Sequence, residues 1–337
     1  MKTVNLGVIG YGYWGPNLAR NFFAANDCNL KAVADARPER LAVLAKVFPS
    51  VKGVKDANDI INDPEIDAVV IATSVFTHFP LAKKALLAGK HVMIEKPMTA
   101  SVAEADELIE LAIQKGLTLM VDHTFLYTGA VAKMKELIDS KEVGTPRYFD
   151  SSRINLGLFQ PDVNVIWDLA PHDLSILTYL VGEKPASINA TGISHTKNGI
   201  ENIAYMTVNY DSDFIAHFNV SWTSPVKVRQ TLIGGDLKMI VYNDLEPSEK
   251  IRVYDTGYNH KIEEYENKIM VDYRTGDVYI PKIGTQEALA GVANDFVQSI
   301  INKREPRANA QLGRQVVRIL EASQVSIKNN GKEVCIR

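Results

Sequence analysis

The opening of the chain constrains its fold more than any other stretch. Val4 to Ile9 make an apolar run that passes directly into Gly10-Tyr11-Gly12-Tyr13-Trp14-Gly15-Pro16-Asn17, and a second apolar run, Leu30 to Ala34, ends at Asp35. This is G-x-G-x-x-G between a strand and a helix, with an acid twenty residues after the last glycine. Each part has a physical use. Gly10 permits a tight turn, Gly12 leaves the backbone open to a pyrophosphate, and Gly15 lets the helix approach the strand. Pro16 suits a helix start, where its missing N–H costs little. The helix N-terminus offers free N–H groups and a partial positive charge to phosphates. Asp35 can accept hydrogen bonds from a ribose diol. A dinucleotide site is therefore expected at Gly10, Gly12, Tyr13, Trp14, Gly15 and Asp35.

A chain of 337 residues suits two domains. With 46 % hydrophobic and 23 % charged residues it has the composition of a globular protein, and a net charge of −3 makes no broad case for nucleic acid or an anionic membrane. Cys28 and Cys335 offer neither a disulfide framework nor a metal spacing. No apolar run approaches the roughly 20 residues that cross a bilayer, and the first strand begins at once with no leader pattern. A cytoplasmic protein is expected.

The first 122 residues alternate between strand and helix. Strands are expected at 4–9, 30–34, 68–73, 91–95 and 117–121, each short and almost continuously apolar, as in a parallel sheet buried on both faces. Helices are expected at 16–26, 38–47, 77–88 and 101–115, the last opened by a Ser101/Glu104 capping box. The alternation argues for a doubly wound α/β sheet, whose ligands sit at the carboxyl ends of the strands. After residue 123 the pattern changes. Helices at 130–140 and 170–181 flank an extended piece at 147–154. Alternating runs at 186–195, 200–210, 214–223, 226–243 and 250–255 then imply a large, open, mostly antiparallel sheet. The segment 256–284 reads as an arm or loop, and helices at 286–302 and 310–327 close the chain. The expected division is 1–122 for the cofactor and 123–337 for substrate and oligomerisation. The open sheet makes a homodimer or homotetramer plausible.

Two constellations carry chemistry. Glu95-Lys96-Pro97 ends the fifth expected strand, where an ammonium can stabilise a developing alkoxide; a solvated lysine before a turn proline is the plainer alternative. Asp168 and His172 are four apart and share a helix face. Pro171 places the expected helix start at or just after Asp168. His172 has the titration range to take a proton from an alcohol, although a capping acid and a core histidine would also suit the pattern. Thr73, Ser74, His78 and Glu95 are expected on the nicotinamide side of the crevice, with His123, Tyr127, Arg153 and Asn155 completing a substrate wall. Arg153 and Asn155 share one strand face, and Arg153 could pair with a phosphate or simply with an acid on the sheet. Asp35 favours NAD over NADP, while Arg37 and Arg40 could partly offset a 2′-phosphate. His91, His195, His217 and His260 show no metal-ligand spacing, and no metal is expected.

The chain resembles the glucose–fructose oxidoreductase / inositol dehydrogenase (Gfo/Idh/MocA) family. The resemblance rests on Gly10-Tyr11-Gly12-Tyr13-Trp14-Gly15, Ala72-Thr73-Ser74…His78, Ala88-Gly89-Lys90-His91-Val92…Glu95-Lys96-Pro97, Asp168…His172 and Gly313-Arg314-Gln315-Val316-Val317…Leu320-Glu321-Ala322. It implies a Rossmann domain plus an α/β domain with an open sheet, and a catalytic trio on Lys96, Asp168 and His172. Departures from the family pattern lie at Ser74, Ala170, Ser175 and the stretch Asp122 to Tyr127. The implied activity is NAD-dependent oxidation of a secondary sugar hydroxyl, with a nucleotide sugar such as UDP-N-acetylglucosamine, oxidised at carbon 3, as the leading substrate. An inositol or free sugar, a glycosidase that uses NAD without net redox, and a non-enzymatic cofactor-binding sensor are the alternatives.

Overall fold

The computed structural model describes residues 3–262 and 269–336. The chain forms two compact units, Met1–Thr128 with Gln286–Arg318 and Gly129–Thr285 with Ile319–Arg337.

The first unit begins β1 (Val4–Ile9), α1 (Gly15–Ala24), β2 (Cys28–Ala34), α2 (Pro38–Val47), β3 (Lys52–Val54), α3 (Asn58–Ile61), β4 (Ala68–Ile71), α4 (Val75–Leu87), β5 (His91–Glu95), α5 (Val102–Lys115) and β6 (Leu119–Asp122). All six strands are parallel, in the order β3-β2-β1-β4-β5-β6. Their sequence is continuously apolar because both faces are covered; every residue of β4 has no exposed surface. Each such aliphatic side chain contributes about 1.5–3 kcal/mol by leaving water. The strand order reverses between β1 and β4, so the crevice beyond their carboxyl ends is the expected ligand position. The capping box of α5 forms: Ser101 Oγ accepts from Glu104 N–H, and the Glu104 carboxylate accepts from Ala100 N–H. Strand β3 and helix α3 lie in a stretch too short and polar to show a period in the sequence.

The second unit contributes α6 (Gly129–Asp139), β7 (Pro146–Leu156), α7 (Val165–Val181), β8 (Pro185–Ile193), β9 (Ile203–Tyr210), β10 (Ile215–Ser221), β11 (Thr223–Gly235), β12 (Met239–Asn243), β13 (Ile251–Tyr254), β14 (Gly257–Ile262), β15 (Ile269–Arg274) and β16 (Val278–Tyr279). Helix α8 (Ala288–Asn302) follows and belongs to the first unit; its Phe296 meets Phe22 of α1 edge-on at 6.2 Å. The chain passes to the second unit within α9 (Ala310–Lys328) and ends with β17 (Val334–Cys335). Nine strands form one sheet in the order β16-β13-β12-β11-β7-β10-β9-β8-β17, antiparallel throughout except for β7 beside β10.

Several expectations change. The units are not cut once near residue 122: residues 286–318 return to the first, where Val121 N–H bonds Ala308 O and Met120 bridges Asn309 at the edge of β6. The run 226–243 is two strands, because Gly235 to Lys238 turn on a Gly235 N–H to Lys238 O bond. The segment 256–284 contains β14, β15 and β16, with 263–268 outside the described residues. Helix α7 starts at Val165, not near Asp168, and carries Pro171 in its interior. An interior proline costs roughly 3 kcal/mol. Here the cost is offset by packing, since Val165, Ile166, Ala170, Leu174 and Leu177 are all fully buried. Asn164 caps the helix, accepting from Trp167 N–H. Among the described residues no helix is long and apolar enough to cross a membrane.

Candidate functional site

The glycine turn follows from steric necessity. Gly10 has φ +99°, and a Cβ there would lie 2.4 Å from Ala72 O; a Cβ on Gly15 would lie 2.2 Å from Gly10 O. The turn is pinned to its neighbours by Gly10 N–H to Ala34 O and Ala72 N–H to Ile9 O, both 2.8 Å. At Gly12 an added Cβ would meet only the Arg37 guanidinium, at 3.4 Å, so this side of the turn is open. Helix α1 has no side-chain cap and no acid in its first turn. An open glycine backbone at an uncapped helix N-terminus fits the pyrophosphate of a dinucleotide. Tyr13 is 90 % exposed beside it.

Asp35 is nearly buried, and both its carboxylate oxygens accept hydrogen bonds. Its Oδ2 accepts from Tyr11 N–H at 2.8 Å and from Arg37 Nη2 at 2.9 Å, while Oδ1 accepts from Arg37 N–H and Nε at 3.0 and 2.9 Å. Burial pushes the carboxyl up, but the hydrogen bonds and charge of Arg37 outweigh it and hold Asp35 at about 2. Asp35 is thus aimed at the glycine turn as an anion, with Arg37 lying across it.

The loop after β4 is tied down. Thr77 Oγ lies 2.7 Å from both Thr73 Oγ and Ser74 O. His78 is 1 % exposed, with Nδ1 3.0 Å from Pro97 O and Nε2 3.1 Å from Thr73 O. Its two nitrogens face backbone carbonyls of the loops after β4 and β5 rather than a crevice. Burial holds this imidazole below its ordinary range.

Lys96 follows the last residue of β5, and its peptide bond to Pro97 is cis. Glu95 and Asp122 are register partners at the ends of β5 and β6, both essentially buried. Glu95 Oε2 accepts from Lys96 N–H at 3.0 Å; Asp122 Oδ1 accepts from Thr124 Oγ at 2.7 Å, and Oδ2 from Trp14 Nε1 at 3.4 Å. Burial, then the neighbouring Asp122 charge, drives the Glu95 carboxyl well up; burial also raises Asp122. His123 is equally buried, and neither ring nitrogen has a hydrogen-bond partner among the described residues. Burial and the nearby Lys96 charge push it down to about 3. Tyr127, expected on a substrate wall, instead donates to Asp295 at 2.7 Å and accepts from Ala308 N–H at 3.1 Å, beneath the Arg307 guanidinium. Its hydroxyl is spent on anchoring α8.

In the second unit Asp168 and His172 lie one turn apart on α7, each partly exposed. Asp168 Oδ2 accepts from Trp222 Nε1 at 2.9 Å, and the Trp222 ring packs against Phe159. Arg153 is not available to a substrate anion. Its Nε and Nη2 form a bidentate pair with Asp173 at 2.7 and 2.8 Å, with both side chains 3 % exposed. Asn155, two residues on along the same strand face, is half-buried. Asp122, Trp222 and Asp173 were not singled out as site residues from the sequence. A bare Asp at a strand end and a Trp between two strands carry no local signal of what they touch.

A family profile described as "Oxidoreductase family, NAD-binding Rossmann fold" matches residues 4–123, and the "GFO/IDH/MocA C-terminal domain" matches residues 131–241. The UDP-N-acetylglucosamine 3-dehydrogenase of Acidithiobacillus ferrooxidans is 29 % identical over 94 % of this chain and 95 % of its own. Its solved structure superposes with a TM-score of 0.80, covering 98 % of this chain and 100 % of that one at 25 % identity. The NADP-dependent scyllo-inositol 2-dehydrogenase of Bacillus subtilis is 25 % identical over 97 % of this chain and 95 % of its own. The glycine turn, the lysine just after β5 and the two matched domains lead to one conclusion: this chain belongs to the Gfo/Idh/MocA oxidoreductase family, with an NAD-binding Rossmann fold at its N-terminus.

Proposed function

We propose that the chain is an NAD-dependent dehydrogenase that oxidises the 3-hydroxyl of a nucleotide-linked sugar of the UDP-N-acetylglucosamine type. The observation that carries this reading is the Trp14–Asp122 hydrogen bond, which ties the glycine turn to the strand ends that present Lys96. The near full-length likeness to a UDP-N-acetylglucosamine 3-dehydrogenase supports the substrate class. Gly10, Gly12, Tyr13, Trp14 and Gly15 receive the pyrophosphate, and Asp35 the adenosine ribose. Thr73, Ser74 and Glu95 belong to the loops flanking the nicotinamide. NAD, when bound, supplies the hydride acceptor.

In this reading His172 takes the hydroxyl proton, Lys96 stabilises the developing alkoxide, and Asp168 orients substrate or imidazole. The Trp222 bond holds the Asp168 carboxylate in one position. His123 and Asn155 are the remaining polar candidates for substrate contact. A cyclitol is the second reading, because the scyllo-inositol relative also spans nearly the whole chain. The exposed Tyr205 and Ile215 of β9 and β10 support pairing with a second copy. The deciding experiment incubates the protein and NAD with UDP- and dTDP-sugars, inositols and free hexoses and follows NADH absorbance. Turnover of UDP-N-acetylglucosamine, lost with Lys96→Ala, is expected; turnover of inositol alone moves the assignment to the cyclitol reading.

A further inference from the structure

Arg153 is closed off by Asp173, but the neighbouring strand carries a second arginine level with it. Arg229 of β11 is the register partner of Arg153 on β7. Facing residues of an antiparallel pair lie about 5 Å apart at Cα and project to the same face of the sheet. Arg229 therefore stands one strand over from the guanidinium that binds Asp173, the residue after His172. The two arginines differ in access. The Arg153 side chain is 3 % exposed, whereas that of Arg229 is 31 % exposed.

They differ also in hydrogen bonding. Among the described residues the Arg229 side chain makes one hydrogen bond, from Nη1 to Asp244 Oδ2 at 3.3 Å, and its buried Nε has no partner. A guanidinium carries a planar fork of N–H donors, so most of this fork is unused. Asp244 does not absorb it. Its Oδ1 accepts from the Tyr242 hydroxyl at 3.1 Å and lies 3.8 Å from Lys250 Nζ, which donates to Asp244 O at 2.6 Å. Of the other acids in that loop, Glu249 pairs with Arg252 and Glu246 accepts from Ser248. Arg229 and Lys250 thus share one carboxylate, which leaves positive charge in excess there. Unused fork donors beside an excess of positive charge, open in part to solvent, suit an oxyanion.

We propose that Arg229, assisted by Lys250, receives the diphosphate of the nucleotide-linked substrate and is thereby a specificity-determining residue. The inference deepens the proposed function and rests on it for the identity of the anion. The planar fork of Arg229 matches paired phosphate oxygens, and Lys250 adds a point charge. Trp222, which holds Asp168, immediately precedes β11, so one stretch of chain carries both the tie to the proposed chemistry and the anion receptor. Removing Arg229 leaves Asp244 with Tyr242 and Lys250, so its carboxylate is not stranded.

The test is isothermal titration calorimetry of the NAD-saturated protein with UDP, with glucuronate as an anion lacking phosphate, and with N-acetylglucosamine as an uncharged sugar. Wild type, Arg229→Gln, Arg229→Lys and Lys250→Met are compared. UDP should bind wild type, and Arg229→Gln should weaken it about tenfold or more, as expected for a lost hydrogen bond to a charged group. Arg229→Lys should recover part of that loss, while affinities for NAD and N-acetylglucosamine stay put. Lys250→Met should weaken UDP by a smaller factor. Equal UDP affinity in wild type and Arg229→Gln, or no UDP binding to wild type, overturns the proposal. So does an equal loss for N-acetylglucosamine, which marks general distortion, and so does Arg229-dependent binding of glucuronate without UDP. Should Arg229→Gln not fold, Lys250→Met decides, and an unchanged UDP affinity there overturns the proposal. Kinetics separate this inference from the proposed function. Turnover of UDP-N-acetylglucosamine with a KM unmoved by Arg229→Gln removes the anion receptor and leaves the function standing; Arg229-dependent UDP binding without sugar oxidation counts against the function alone.

Discussion

Trp222 Nε1 donates to Asp168 Oδ2 across 2.9 Å, from the residue between β10 and β11 to the first turn of α7. Trp222 is 1 % exposed and packs on Phe159, so the indole can hold the carboxylate rather than wave beside it. Trp222→Phe keeps an aromatic ring and removes the donor. We expect kcat on the accepted sugar to fall about tenfold, with stability lowered by about 1–2 kcal/mol for the lost hydrogen bond and volume. Steady-state kinetics and thermal melts check both; an unchanged kcat would remove Trp222 from any role in placing Asp168.

Arg153 and Asp173 form the buried pair that locks β7 to α7. Removing one partner strands a charge in the core. Arg153→Met and Asp173→Asn should each cost about 3–5 kcal/mol, whereas the double change to Met and Leu should recover much of the loss. Urea unfolding followed by circular dichroism measures all three.

His123 gives a pH signature. Its folded value, about 3, lies below the ordinary imidazole range near 6.5. Between these limits the unfolded chain binds more protons than the folded one, so stability is present above about 6.5 and is lost as pH falls towards 3. The slope is at most about 1.4 kcal/mol per pH unit for one proton. His123→Phe removes this proton from the balance. Chemical denaturation at a series of pH values should show a shallower acid slope in the variant.

Asp35 makes the complementary case. Arg37 and the Tyr11 amide hold its carboxyl at about 2, below the unfolded value near 3.8. Its contribution is present above 3.8 and is lost as pH falls through 2. In Arg37→Ala the folded value should rise towards the unfolded one, so this acid-range loss of stability should shrink. Because Arg37 also lies beside Gly12, its removal should change cofactor affinity. Fluorescence titration of NAD and NADP should find NADP binding weakened more than NAD binding, since a cation beside the glycine turn that could face a 2′-phosphate is gone.

The sequence by itself determined the elements whose cause is local. The glycine turn, the alternation of apolar strands and helices through residue 122, and the Ser101/Glu104 cap depend on residues a few positions apart, and their period or spacing is visible along the chain. Tertiary structure decided everything that depends on a distant partner. Pro171 reads as a helix boundary until the buried face of α7 is known to offset its cost. Arg153 reads equally well as an anion receptor until Asp173, twenty residues on, is found accepting from its Nε and Nη2. Tyr127 reads as a substrate-wall residue and His78 as a nicotinamide-side residue until Asp295 and two backbone carbonyls are found beside their polar atoms. Asp122 had no visible reason to matter, because its partners Trp14 and Glu95 reach it only through the order of strands in the sheet. A side chain's hydrogen-bonding capacity is written in its type, but which groups use that capacity up is set by the packing of the fold.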